Sequence, residues 1–279
     1  MGLTVLVTGA AGQVGSELLR AFAGHRVLGT TVDVAEREEV DAAVLSVRPD
    51  RIVHAAAWTD VDGCEGDVDR AFRTNALGTR HVVEAARRVG AHVVYLSTDY
   101  VFDGESDRPY AEWDEPRPPS VYGRSKLAGE RELHPGDTVV RTSWVAGRHG
   151  RNFVKTMLRL AGEGQDPVPV VADQLGSPTM AADLAAGVAR LTVEARPGVY
   201  HVTNQGTATW YELACAVFEA AGQNPGRVKA IATADLDPPR PAPRPRMSVL
   251  DNAALRLSGL PLLPDFRPSL QALVRELRG

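Results

Sequence analysis

The chain has 279 residues, of which 44% are hydrophobic and 24% charged, and a formal net charge of −4. That length buries a large core, in one big domain or a main domain with a smaller partner, and the charge offers no basic field to draw in nucleic acid. Cys64 and Cys215 stand far apart, which excludes a disulfide framework and a cysteine-based zinc site, and no apolar stretch is long enough to span a bilayer.

In chain order, the apolar run Leu3–Val7 reads as a first strand, and its early start leaves no room for a signal peptide. A cytoplasmic protein with neither nucleic-acid nor membrane partners is the expectation. Gly9-Ala10-Ala11-Gly12-Gln13-Val14-Gly15 follows the strand, and a helical pattern at Leu18, Leu19 and Phe22 follows the glycines. Strand, glycine turn and helix in that order form a phosphate-binding corner. The glycines let the backbone turn sharply and approach a pyrophosphate, and the helix N-terminus offers free N–H groups to the anion. Glycine triplets also serve ordinary tight turns, so a second motif is needed. Further strands are expected at Arg26–Gly29, Ile52–Ala55, His92–Leu96 and Thr138–Arg141, with helices at Glu36–Ser46 and Asp67–Val89 between them. The alternation predicts an α/β fold with a doubly wound parallel sheet, whose ligand lies at the carboxyl ends of the strands. Gly9, Ala55, Ser97 and Arg141 all follow strand ends and so converge on one edge.

The second motif is Tyr122-Gly-Arg-Ser-Lys126, behind Pro118, Pro119 and a potential helix cap at Ser120. Four residues apart on a helix, Tyr122 and Lys126 share a face. A lysine ammonium beside a phenol should lower the tyrosine pKa and make it a proton donor near neutral pH. An isolated Tyr-x-x-x-Lys is most often a pair of surface neighbours. The glycine turn upstream and Ser97-Thr98 at a strand end make the catalytic reading the better one. Beyond Trp144 the pattern loosens. Helices are expected at Asn152–Leu160, Thr179–Leu191 and Tyr211–Ala221, a short apolar run at Val168–Ala172, and a proline- and arginine-rich loop at Asp237–Arg246. Residues 1–150 are therefore expected to form a dinucleotide-binding Rossmann domain. Residues 151–279 would form mainly a smaller α/β substrate domain, with the chain returning to the first around 168–204.

These motifs, with Ser97-Thr-Asp-Tyr-Val-Phe-Asp-Gly104, Arg141-Thr-Ser-Trp144 and Asp173-Gln-Leu-Gly-Ser-Pro-Thr179, resemble the extended short-chain dehydrogenases that act on nucleotide sugars. Within them the chain is similar to the dTDP-4-dehydrorhamnose reductase family over nearly its whole length. The resemblance implies hydride transfer from NADPH or NADH to the C4 ketone of a dTDP-4-keto-6-deoxyhexose. Tyr122 would protonate the developing alkoxide, Thr98 would bond the same oxygen, and Lys126 would hold the nicotinamide ribose and keep Tyr122 acidic. Gly9, Gly12, Gln13, Val14 and Gly15 would line the pyrophosphate. Thr30, Asp33 and Val34 would lie at the adenosine end, and Ala55, Ala56 and Ala57 would let the cofactor pack on the backbone. Thr59, Val61, Tyr100 and Trp144 would meet the sugar, with Asn152 and Arg244 as candidates for the diphosphate.

Some residues depart from the family pattern. After the second strand, Gly29-Thr30-Thr31 carries neither a carboxylate for a ribose 2′-hydroxyl nor an arginine for a 2′-phosphate, which leaves NADPH slightly favoured. Glu17 matches a position at which some members hold a magnesium ion between two subunits. The second glutamate is missing from Met180-Ala-Ala-Asp183, which speaks against a bound metal and leaves a monomer or an ordinary homodimer. Related dehydratases carry Thr-Asp-Glu at the Thr98 strand end. Here Tyr100, a phenol expected to lack a cationic neighbour, replaces the glutamate. Three alternatives remain open: a sibling 4-ketoreductase for another dTDP-deoxysugar, a dehydratase or epimerase on the same scaffold, and a non-catalytic, cofactor-binding regulatory subunit.

Overall fold

The computed structural model describes residues 2–279. Its first part places β1 (Thr4–Thr8), α1 (Gln13–Ala21), β2 (Arg26–Thr30), α2 (Arg37–Val47), β3 (Arg51–His54) and α3 (Val61–Gly66) in order. They are followed by α4 (Val68–Phe72), α5 (Gly78–Val89), β4 (His92–Thr98), α6 (Val121–Glu130) and β5 (Thr138–Thr142). A sixth strand, Gly198–His201, completes one parallel sheet ordered β2, β1, β3, β4, β5 and Gly198–His201. Alternate residues of each strand feed opposite layers. Val5 and Val7 join Leu18, Leu184 and Val188, from α1 and the helix Ala181–Glu194, in one core. Leu6 joins Val40, Val44 and Val82, from α2 and α5, in the other. Burial on both faces is why the strands read as continuous apolar runs rather than alternating ones. The order reverses between β1 and β3, and a ligand cleft is expected beyond the carboxyl ends of strands at such a switch point.

A separate core forms at the C-terminal end, where Val154, Met157, Leu213, Val217, Phe218, Phe266 and Leu270 pack together. The helices Phe153–Gly162, Trp210–Ala220 and Phe266–Arg278 supply these residues. Ala181–Glu194 packs in one core layer of the sheet, and Gly198–His201 is its sixth strand. Val168–Val171 instead pairs in parallel with Val228–Ile231 beside this second core. The long helix expected at Asp67–Val89 is interrupted: Arg73–Leu77 forms a π-helical turn between α4 and α5. Asn75 in that turn is buried. Its side-chain oxygen accepts from the Trp58 backbone N–H at 2.8 Å, and its amide donates to the Trp58 carbonyl at 3.0 Å and to Ser125 Oγ at 2.9 Å. The widened turn thus ties the loop after β3 to α6.

Candidate active site

Gly9 opens the glycine turn at φ +66°, where a Cβ would come within 2.7 Å of the Ala56 nitrogen. A Cβ on Gly15 would lie 2.1 Å from the Gly9 carbonyl oxygen. Both positions therefore require glycine. Gly12 caps α1 without a side-chain bond, so the first N–H groups of the helix, on Gln13 and Val14, are offered to whatever fills the cleft. That donor set fits a pyrophosphate.

At the other end of the cleft, Ser120 Oγ accepts from the Gly123 N–H at 3.1 Å and starts α6 as expected. A Cβ on Gly123 would lie 2.1 Å from the Tyr100 carbonyl, so glycine beside Tyr122 lets α6 press onto the end of β4. The far end of α6 is fixed by a buried, two-pronged pair: Arg141 on β5 donates to Glu130 at 2.9 and 2.7 Å. Ser97 on β4 also bonds Glu130. Tyr122 and Lys126 are held between these anchors. Tyr122 faces Thr98, and Tyr100 packs edge-on to its ring at 5.6 Å.

The cleft between these two ends has a volume of about 760 Å³ and is lined by Gly12, Gln13, Val14, Gly15, Ala55, Ala57, Thr59, Val61, Thr98, Tyr100, Tyr122, Lys126 and Trp144. Thus the three candidate catalytic side chains and most of the expected cofactor and sugar contacts come together. A larger surface groove of about 910 Å³, around Arg70, Arg73, Arg80 and Glu132, lies away from all three catalytic candidates.

Several expectations are corrected by the geometry. Lys126 does not acidify Tyr122 here. Its ammonium donates to the Leu96 carbonyl at 2.7 Å and lies 4.0 Å over the Tyr95 ring. Burial brings its own pKa down to about 7, against the opposing pull of Glu130, and burial raises the Tyr122 phenol above its ordinary value. Tyr100 does have a cationic neighbour, Arg244, 5.9 Å from its ring. Burial outweighs that cation and still raises the phenol.

Other expected residues sit outside the cleft lining. Arg244 is paired with Asp62 at 2.8 Å. Asn152 caps its helix at Lys155 and donates to Gln13 Oε1 at 2.9 Å. The Val34 side chain is buried in the core, and the Ala56 N–H donates to Thr8 Oγ1 at 3.3 Å. Thr30 ends the edge strand β2, and Asp33 is exposed, with Oδ1 accepting from the Ala35 N–H at 3.0 Å. Trp144 does line the cleft, but its face stacks on Trp210 at 3.5 Å and Gly176 presses against its ring. A sugar would therefore meet a two-tryptophan wall rather than a free indole face.

The cleft is also lined by Asp99, which the sequence places only in a dehydratase-type acid–base pair, and by Arg151 and Trp210, which sequence reading does not single out. Arg151 stands one residue before the expected Asn152, so a search for a cation near that helix start would have found it. Glu17 faces Arg148 at 3.9 Å and His149 at 4.0 Å. Among the described residues no group of three or more His, Cys, Asp or Glu is placed to hold a metal ion. No helix among those residues is long and apolar enough to cross a membrane.

The model of the RmlD substrate binding domain matches residues 3–278. A dTDP-4-dehydrorhamnose reductase from Streptomyces griseus is 44% identical over 280 residues, covering 95% of this chain and 91% of the relative. A probable dTDP-4,6-dihydroxy-2-methyloxan-3-one 4-ketoreductase from Streptomyces antibioticus is 43% identical, covering 95% and 92%. The crystal structure of dTDP-4-dehydrorhamnose reductase from Bacillus anthracis in complex with NADP superposes with a TM-score of 0.94 at 38% identity, covering 99% of this chain and 100% of that one. The chain belongs to the RmlD substrate binding domain family.

Proposed function

We propose that the protein reduces the C4 ketone of a dTDP-4-keto-6-deoxyhexose, with dTDP-4-dehydro-L-rhamnose as substrate and dTDP-L-rhamnose as product. The observation that carries this reading is the convergence of Thr98, Tyr122 and Lys126 on one cleft that continues to the uncapped N-terminus of α1. The relatives' names support the substrate class, and the NADP held by the Bacillus anthracis enzyme supports NADPH as the preferred cofactor.

A reduced nicotinamide bound there supplies the hydride to C4. The N–H groups of Gln13 and Val14 would hold its pyrophosphate, and Lys126 would turn from the Leu96 carbonyl to a ribose hydroxyl. Tyr122 donates its proton to the oxygen that gains charge. A phenol raised by burial is fully protonated at neutral pH, and an alkoxide is a far stronger base, so the proton still moves the right way. Thr98 adds a hydrogen bond to the same oxygen. Arg151 is the cleft-lining cation open to a sugar-nucleotide diphosphate. The protein acts as a monomer or homodimer in this reading.

The test is to supply dTDP-4-keto-6-deoxysugars made in situ, with and without a 3,5-epimerase, together with NADPH or NADH, and to identify the product by NMR. dTDP-L-rhamnose formed only with the epimerase supports the reading. A different dTDP-deoxysugar would place the protein with the sibling 4-ketoreductases, and no turnover at all would favour a regulatory subunit.

A further inference from the structure

Asp99 follows Thr98 at the end of β4. It is only 2% exposed, yet it contributes to the cleft wall. Its Oδ1 accepts from the Thr98 hydroxyl at 2.9 Å, and its buried Oδ2 has no hydrogen-bond partner. Thr98 Oγ1 also accepts from the Tyr100 backbone N–H at 3.2 Å. A threonine hydroxyl has one proton to give and two lone pairs to fill. With Asp99 ionised, that single proton points at Asp99, and Thr98 has nothing to donate to a substrate oxygen. With a proton on Asp99, the carboxyl donates to Thr98. The two lone pairs are then filled by Asp99 and the Tyr100 N–H, and the threonine proton is released toward the side of the cleft where the Tyr122 phenol and the substrate oxygen meet it.

Burial favours the neutral form, against hydrogen bonds from Thr98, Ser248 and the Asp99 and Tyr100 backbone N–H groups that favour the charged one. The groups facing the carboxyl are the hydroxyls of Thr98 and of Ser248 from the C-terminal segment, the Tyr100 phenol, and Tyr122 from α6. Arg244, the nearby cation on Tyr100, is paired with Asp62. Burial without a compensating cation pushes the Asp99 carboxyl up to about 7.

We propose that Asp99 is a positioning residue that acts as a neutral acid, donating to Thr98 and so turning the Thr98 proton toward the C4 oxygen of the substrate. The proposal rests on the ketone-reductase reading and deepens it. No proton leaves Asp99 in the cycle: O4 gains its proton from Tyr122 and C4 its hydride from the reduced nicotinamide. As pH rises through about 7, Asp99 ionises, Thr98 turns away and turnover falls. Lys126 loses its charge over the same range, so variants must separate the two.

The experiment measures kcat against pH for wild type, Asp99→Asn, Asp99→Ala, Thr98→Val and the Thr98→Val/Asp99→Asn double variant, using NADPH and the 4-keto-6-deoxy sugar nucleotide. Below about pH 7 Asp99→Ala should lose about tenfold or more, because nothing then orients Thr98, a fraction of what removing an oxyanion donor costs; above it, where wild-type Asp99 is ionised, the gap should narrow. Asp99→Asn should regain most of that loss and carry its activity to higher pH, because an amide N–H donates at any pH. In the Thr98→Val background, Asp99→Asn should change nothing further. An infrared band of a protonated carboxyl, present in wild type at neutral pH and absent in Asp99→Asn, provides a readout without turnover and stands if Asp99→Ala fails to fold. An Asp99→Asn profile superimposed on wild type, or as inactive as Asp99→Ala, overturns the proposal while leaving the reductase reading intact. Wild type that shows the band but reduces no ketone overturns that reading, and the proposal with it.

Discussion

The two ends of the cleft are built differently. At the reacting end, Thr98, Asp99, Tyr122 and Lys126 are all buried, and α6 is clamped by the Arg141–Glu130 pair and by the Ser97 hydroxyl. At the adenosine end, β2 is the edge strand of the sheet and Asp33 stands in solvent. Its side chain is turned back on the Ala35 N–H. A desolvated, rigid end sets the chemistry, because hydrogen bonds and protonation states there cannot be traded for water. An exposed end with neither carboxylate nor arginine in Gly29-Thr30-Thr31 sets cofactor preference only loosely.

Breaking the buried end should have the largest effects. Tyr122→Phe keeps the ring packing and removes the proton donor, so kcat should fall about 10²–10⁴-fold while cofactor binding changes little. Stopped-flow and steady-state assays would decide this, and retention of more than about a tenth of wild-type turnover would rule Tyr122 out as the acid. Arg141→Met strands Glu130 as a buried charge without its partner. Unfolding in denaturant should register a loss of about 3–5 kcal/mol, and a change under about 1 kcal/mol would mean the pair does not anchor α6.

The contrast is also where sequence reading succeeded and failed. The starts and ends of β1 to β5 are legible within a residue or two, because the sheet's inner strands are buried on both faces and read as plain apolar runs, whereas the sixth strand, Gly198–His201, is not recognisable as one. The glycine turn and the Ser120 cap were legible because each is a local backbone requirement. The π-turn at Arg73–Leu77 is not, since the partners of Asn75 within it, Trp58 and Ser125, are far away in sequence. The stack of Trp144 on Trp210 and the pairing of Val168–Val171 with Val228–Ile231 are long-range for the same reason. The direction of the Tyr122 shift is not legible from Tyr-x-x-x-Lys alone, because the lysine four residues on gives its ammonium to a carbonyl on β4 rather than to the phenol.

At the exposed end the effects should be smaller. The kcat/KM values for NADPH and NADH should lie within about a hundredfold, under roughly 3 kcal/mol, with NADPH ahead. A strong preference for NADH would instead assign Asp33 to the ribose. Smallest of all should be the response to EDTA. With Glu17 facing Arg148 and His149, chelation should change neither activity nor native mass, and activity restored by magnesium after chelation would contradict this.

The central claim is that the buried end performs simple ketone reduction. It lacks the acid–base pair that eliminates water: Asp99 is present, but the dehydratase glutamate is replaced by Tyr100, a phenol that burial holds protonated near neutral pH, with no phenolate to act as base. The most direct test incubates the purified protein with NADPH and, separately, with dTDP-glucose or a dTDP-4-keto-6-deoxy sugar, and follows cofactor absorbance and product together. The account predicts one NADPH oxidised per 4-keto sugar reduced, and no 4-keto product from dTDP-glucose. Conversion of dTDP-glucose to the 4-keto-6-deoxy sugar without net cofactor consumption would contradict it.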